Sequence, residues 1–182
     1  PTVGGGPLYS ALATSYVLRD LFTPTLAAGS VNNTLAEPGG NGSASQRTRN
    51  VTDTNSKISI AGALLDFATG AAANDGLWYG TFSREAGRAL LATLVPSDTN
   101  GVPSVGWDTN GSGAIADALT FAAAGVLNAI PNVGTAVAVG VYTATSYQVA
   151  VILRSTGVYL FVKGGAFANW TLLWMTAAGS AA

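Results

Sequence analysis

The sequence predicts an all-β protein folded as an antiparallel β-sandwich or jelly roll, on three observations. Apolar runs of strand length, rich in β-branched and aromatic residues, recur at about ten-residue spacing, roughly ten to twelve of them in all. The breaks between them carry Gly, Asn, Asp, Ser and Pro, the residues of tight turns. No stretch keeps a convincing helical period. Such a pattern reads as two layers of short strands and not as alternating strand and helix.

At 182 residues the chain has room for one domain with a substantial core and is too short for two comfortable ones. Residues 1–15 open with Val-Gly-Gly-Gly-Pro and are expected to be a flexible N-terminal arm or linker. One sandwich domain is expected over 16–182. The chain begins at Pro1, which suggests a processed product or an excised fragment, and no signal peptide is visible.

A first strand is expected over 16–22, followed by a loop-like excursion from 23 to 50. That excursion is long for a compact domain, and functional and mobile readings of it weigh about equally. From there short strands are expected at 51–53, 57–60 and 63–68, divided by Asn55-Ser56 and Ala61-Gly62. After the turn signal Asn74-Asp75-Gly76 comes 77–82. Residues 83–94 can be written as a helix, but Gly87 in the middle would cost it about 1 kcal/mol, so a strand from Arg88 onward is preferred. Strands at 102–107, 118–122, 126–130 and 136–142 follow. Last comes the stretch 147–174, three apolar runs separated by Ser-Thr-Gly and by Gly-Gly-Ala-Phe-Ala-Asn, the signature of an antiparallel meander. Its strands are apolar on both faces, whereas a sheet with one wet face alternates apolar with polar. Either the N-terminal segment or another subunit is expected to cover the second face.

Charged residues make up 9% of the chain, eight basic and nine acidic, against roughly 25% in ordinary globular chains. No basic cluster is denser than Arg47 with Arg49, so nucleic-acid binding is not expected. Cysteine and histidine are both absent. A Ser-His-Asp triad, a Cys-His dyad and a histidine-bound zinc site therefore cannot be built from these residues. The uncharged span 118–153 is interrupted every few residues by Gly, Asn or Pro, and the uncharged tail 164–182 begins with Gly-Gly and ends in small residues. No membrane span is expected.

Carboxylates, hydroxyls and aromatic rings remain for chemistry. Asp108, Asn110, Ser112 and Asp117 follow the first part of a calcium loop, with oxygen-bearing side chains at alternate positions and Gly at the sixth. The twelfth position is Leu119, where a bidentate glutamate belongs, so any calcium held there would be weakly bound. The competing reading is a polar Asn-Gly hairpin between two strands. A related Asp-Thr-Asn-Gly begins at Asp98, and the strand between the two segments should put them at opposite ends of the sandwich. Glycoside hydrolysis needs two carboxylates across a groove. The only glutamates are Glu37 and Glu85, and Glu85 reads as an ion-pair partner of Arg84 and Arg88. No enzyme is expected and no catalytic residue is assigned. Trp78, Tyr79 and Trp107 are the candidate carbohydrate-binding platforms, because flat rings suit the apolar faces of sugars. Trp170 and Trp174, four apart in a strand, should share one face with Leu172 and belong to the core.

The run GRALLATLVPSDTNGVPSVGWDTNGSGAIADALTFAAAGVLNAI and the later KGGAFANWTLLW resemble the laminin-G-like, or concanavalin-like, jelly-roll modules of environmental and phage-borne surface proteins. The resemblance covers about residues 19–177. It implies two packed antiparallel sheets and a structural or binding role in a virion or at an extracellular surface, as a fibre, decoration or surface-filament subunit. It implies a homo-oligomer or a neighbouring structural protein as partner, with glycan attachment to a host or surface as the alternative role. The acidic cluster of the glycosidase relatives of this fold is absent.

Overall fold

The computed structural model describes residues 20–36, 47–68, 70–71, 75–79, 87–100, 103–108, 115–131 and 134–176. The expected arm over 1–15 lies outside them. The chain divides into two compact units, Pro1–Thr81 and Phe82–Ala182. Among the described residues every sheet is antiparallel and there is no α-helix.

The N-terminal unit holds β1 (Asn50–Thr52), β2 (Ile58–Ala61), β3 (Leu64–Phe67) and β4 (Gly76–Trp78), paired as β1 with β4 and β2 with β3. The β2–β3 turn is Gly62-Ala63, one residue later than the sequence suggests. Both residues are left-handed, with φ of 59° and 61°, the geometry of a two-residue hairpin that matches strand twist. Before β2 the Asp53 carboxylate accepts from the backbone N–H groups of Lys57 and Ile58, which closes that turn. Val31, Ile58 and Ile60 form a small core, with Phe22, Leu26, Val51, Leu65 and Leu77 packed on it.

Two expectations for this unit change. No strand forms at 20–22, and residues 16–19 lie outside the described residues. Phe22 is left-handed at φ 52° and its N–H donates to Asp20 Oδ1 at 3.0 Å, so the chain bends where an extended strand was expected, and Leu26 instead bridges to Ile60. The excursion from 23 to 50 is also more regular than its composition suggests. Its limbs zip together through Asn33 N–H to Arg49 O, Arg49 N–H to Thr34 O and Ala36 N–H to Arg47 O, each at 2.8 Å.

The C-terminal unit contains β5 (Ala89–Leu94), β6 (Ser104–Asp108), β7 (Ile115–Ala122), β8 (Val126–Ile130), β9 (Val137–Val141), β10 (Tyr147–Arg154), β11 (Gly157–Gly164) and β12 (Phe167–Met175). Two four-stranded sheets result, ordered β6-β7-β8-β9 and β12-β11-β10-β5. The chain leaves β5, builds the first sheet as a meander, and returns to lay β10 beside β5. Leu119, Phe121, Leu127 and Ala129 of one sheet share a core with Tyr147, Val149, Val151, Leu153, Val158, Leu160 and Val162 of the other. The arrangement is sandwich-like. The strand reading of 88–94 holds in β5.

The predicted meander is present, with one shift and one correction. Only Gly165 and Ala166 form the last turn, since Gly164 pairs with Phe167, so Phe167 and its neighbours belong to β12. Trp174 does not share a face with Leu172, which breaks the single face expected for Trp170, Leu172 and Trp174. Leu160 faces Trp174 while the next residue, Phe161, faces Leu172, so Leu173 is an extra residue in a β-bulge, and a bulge reverses which side of the sheet later residues occupy. Trp174 consequently packs against the core, and Leu172 is 46% exposed.

Candidate functional site

In β10 the odd-numbered residues 147–153 enter the core, so Gln148, Ala150, Ile152 and Arg154 face outward. In β11 the same alternation turns Tyr159, Phe161 and Lys163 outward. The register aligns Leu91, Ala150, Phe161 and Leu172 in one row across all four strands of this sheet, and Ala89, Ile152, Tyr159 and Met175 in the next. This is the apolar second face that the sequence indicates. It is not fully covered among the described residues: Leu91, Leu172 and Met175 are 42%, 46% and 54% exposed, and Ile152, Tyr159 and Phe161 are half-buried.

A shallow open depression of about 340 Å³ lies on this face, lined by Ile152, Arg154, Thr156, Tyr159 and Phe161. The two-residue turn after Arg154 brings the Thr156 hydroxyl within 2.8 Å of the Tyr159 phenol. The floor is therefore aromatic, and its rim carries hydroxyls and a guanidinium. From the sequence, Tyr159 and Phe161 belong simply to the apolar runs of 147–174, one face of which is expected to be covered. The signal that finds them is the alternation itself, once the core-facing parity is known.

The three aromatic residues singled out in the sequence belong to different units, Trp78 and Tyr79 to the first and Trp107 to the second. Trp107 lies in β6 and packs against the sandwich core, half-buried. Trp78 ends β4 opposite Asn50. Tyr79 is half-buried and its hydroxyl donates to Asp20 Oδ2 at 2.8 Å. That contact belongs to a network that sequence reasoning missed. Arg49, fully buried, grips Asp20 with two hydrogen bonds, Nε to Oδ2 at 2.6 Å and Nη2 to Oδ1 at 2.7 Å. Its remaining Nη1 donates to Thr34 Oγ1 at 3.2 Å, and the guanidinium carbon lies 5.8 Å from the Phe22 ring centroid. The carboxylate thus holds charge-assisted bonds from Arg49 along with those from Tyr79 and Phe22. These contacts tie the start of the described chain to the limbs of the excursion.

Of the calcium-loop residues, Asn110 and Ser112 lie outside the described residues. Asp108 closes β6, and Asp117 is buried in β7 opposite Trp107. No group of three or more His, Cys, Asp or Glu side chains gathers among the described residues. Thr99 of the first Asp-Thr-Asn segment and Asp108 of the second fall at opposite ends of β6. Thr99 borders Gly125 in the β7–β8 turn, near Ser104, and Asp108 stands at the other end. Both glutamates lie outside the described residues.

Tyr142 and Tyr147 close the other end of the core with Phe121. The three rings meet edge-to-face at centroid distances of 5.1, 5.3 and 6.4 Å. Burial pushes the Tyr142 phenol above its ordinary value, and the nearby Asp98 carboxylate and Tyr147 add to the rise. No helix among the described residues is long and apolar enough to cross a membrane. No protein-family model matches the chain, and no match is found among curated proteins or solved structures.

Proposed function

We propose that the chain is a non-enzymatic structural and binding module of an extracellular or virion assembly, a fibre, decoration or surface-filament subunit that associates with copies of itself. The observation that carries this reading is β12. It ends its sheet among the described residues, runs for nine residues, and contains neither a charge nor a proline. Soluble monomers usually guard such edges with lysine, proline or bulges, because unpaired backbone groups template pairing with another chain. Here the bulges against β11 blunt the edge only in part. A two-fold partner laying its own β12 antiparallel against this one would join two four-stranded sheets into one, with no need for complementary charge. The return of β10 beside β5 after an excursion through the other sheet supports a jelly roll of the laminin-G-like kind.

Light scattering on the chain over rising concentration tests this. An oligomer that Leu172→Lys and Met175→Lys reduce to monomer is the expected result, and a strict monomer at high concentration would sink the proposal. A second reading, carbohydrate binding, is favoured by the aromatic depression on the β10–β11 face.

A further inference from the structure

We propose that the depression on the outer face of β10 and β11 binds an acidic oligosaccharide, a chain of carboxylate-bearing pyranose sugars. The backbone beneath it is already engaged. β10 pairs with β11 and β5, and β11 pairs with β10 and β12, so the floor offers no row of free amides and carbonyls for an added peptide strand. What it offers is side chains. Tyr159 and Phe161 stand two residues apart on one face of β11, about 7 Å along the strand. Flat rings at that spacing suit the C–H faces of successive sugars, and the Thr156 and Tyr159 hydroxyls suit their polar edges.

Charge selects among sugars. The four strands of this sheet carry Arg154 and Lys163 and no Asp or Glu, in a chain whose net charge is −1. Both cations are exposed, and among the described residues neither enters an ion pair. Arg154 sits in the row of Gly157 and Lys163 in the row of Gln148, six residue steps apart or roughly 20 Å. The rows of Ile152 with Tyr159 and Ala150 with Phe161 fill the interval. An exposed cation at each end of an aromatic floor fits a ligand with several rings and more than one carboxylate, and the planar guanidinium can hold a carboxylate by two parallel hydrogen bonds. A nucleic-acid strand carries a phosphate on every nucleotide, and two cations over this length would neutralise too few of them. The residues that line the depression are none of Trp78, Tyr79 and Trp107, and the proposal does not depend on self-association through β12.

Calorimetric titration of the full chain with oligogalacturonate, neutral cello-oligosaccharide of equal length and poly-glutamate tests the assignment. Oligogalacturonate should bind and weaken as salt is raised. Arg154→Gln should weaken it about tenfold, the loss of one charged hydrogen-bonding pair, and Phe161→Ala should weaken it too. The neutral sugar and the peptide should bind far less tightly. No binding of oligogalacturonate would overturn the proposal. So would equal affinity for the neutral sugar, equal affinity for poly-glutamate, or indifference to Arg154→Gln in a variant whose circular dichroism matches that of the parent.

Discussion

Residues 20–79 bury a bidentate Arg49–Asp20 ion pair beside a core of three apolar side chains, Val31, Ile58 and Ile60. Residues 87–176 gather twelve buried apolar or aromatic side chains into one core, eleven from two facing sheets and Tyr142 from just after β9. The first arrangement concentrates its specificity in one contact whose members lie 29 residues apart. The second spreads it over many interchangeable contacts. A distributed apolar core loses stability in increments when a side chain is trimmed. A buried charge that loses its partner has no comparable intermediate, because the desolvation cost of the survivor is left uncompensated.

The sharpest way to break that contrast is Asp20→Ala. It takes the carboxylate from a guanidinium that is fully buried and removes the acceptor of the Tyr79 hydroxyl and the Phe22 N–H. The expected loss is about 3–5 kcal/mol, read by urea unfolding and by lost amide-exchange protection at Ile58 and Ile60. Replacing both partners at once, Asp20→Leu with Arg49→Met, should recover most of it, since well-packed apolar replacements of a buried pair are often neutral. A loss below about 1 kcal/mol for the single change would mean that the pair behaves as a solvated surface bridge.

The same contrast explains what the sequence makes legible. Strand positions in the C-terminal unit follow from a two-residue alternation that any short window displays, so β8, β10 and β11 lie close to where the text places them. The bulge at Leu173 is invisible at that level, because the extra residue is defined only against its partner strand β11. It decides which face Trp174 and Leu172 occupy. In the N-terminal unit the decisive contact pairs Asp20 with Arg49 across a Gly- and Asn-rich stretch, and no local period links them. The text offers Asp20 as a strand residue and Arg49 as part of a basic pair. The outer face of β10 and β11 was legible as an anomaly, being apolar where solvent was expected. Its chemistry was not, because placing Arg154, Thr156 and Tyr159 round one depression requires the turn geometry.

Two glycines carry the comparison into the backbone. Gly62 in the β2–β3 turn and Gly165 in the β11–β12 turn both have φ near the left-handed well, 59° and 55°. A Cβ at Gly62 meets nothing within 4 Å, whereas one at Gly165 collides with the Tyr147 phenol. Tyr147 cannot easily yield, since its hydroxyl accepts the Thr143 N–H at 3.0 Å and its ring packs edge-to-face on Phe121. Gly62→Ala should therefore cost about 1 kcal/mol, the backbone penalty alone. Gly165→Ala should cost about 2–3 kcal/mol by adding overpacking to that penalty. Equal shifts in urea midpoint for the two variants would show that the Tyr147 ring moves aside freely.

The smallest expected effect is a dependence on alkaline pH that belongs to the C-terminal core. The Tyr142 phenol is raised above its ordinary value of 10.0, first by burial and then by Asp98 and Tyr147. A raised folded value means that the unfolded chain releases the proton first as pH climbs. Below about pH 10 both states hold it, and its contribution to stability is fully present. Above that pH the unfolded state binds fewer protons than the folded one, so stability falls until the folded phenol itself ionises. Tyr142→Phe removes this titration along with the hydrogen bond to Phe121 O at 3.3 Å. Near neutral pH the variant should be less stable by about 0.5–1.5 kcal/mol. The gap should narrow as pH rises past about 10, because only the parent carries the Tyr142 contribution to the alkaline loss. Urea unfolding of both proteins across that range checks it, and a gap that stays constant would remove burial of the Tyr142 hydroxyl from the account of this core.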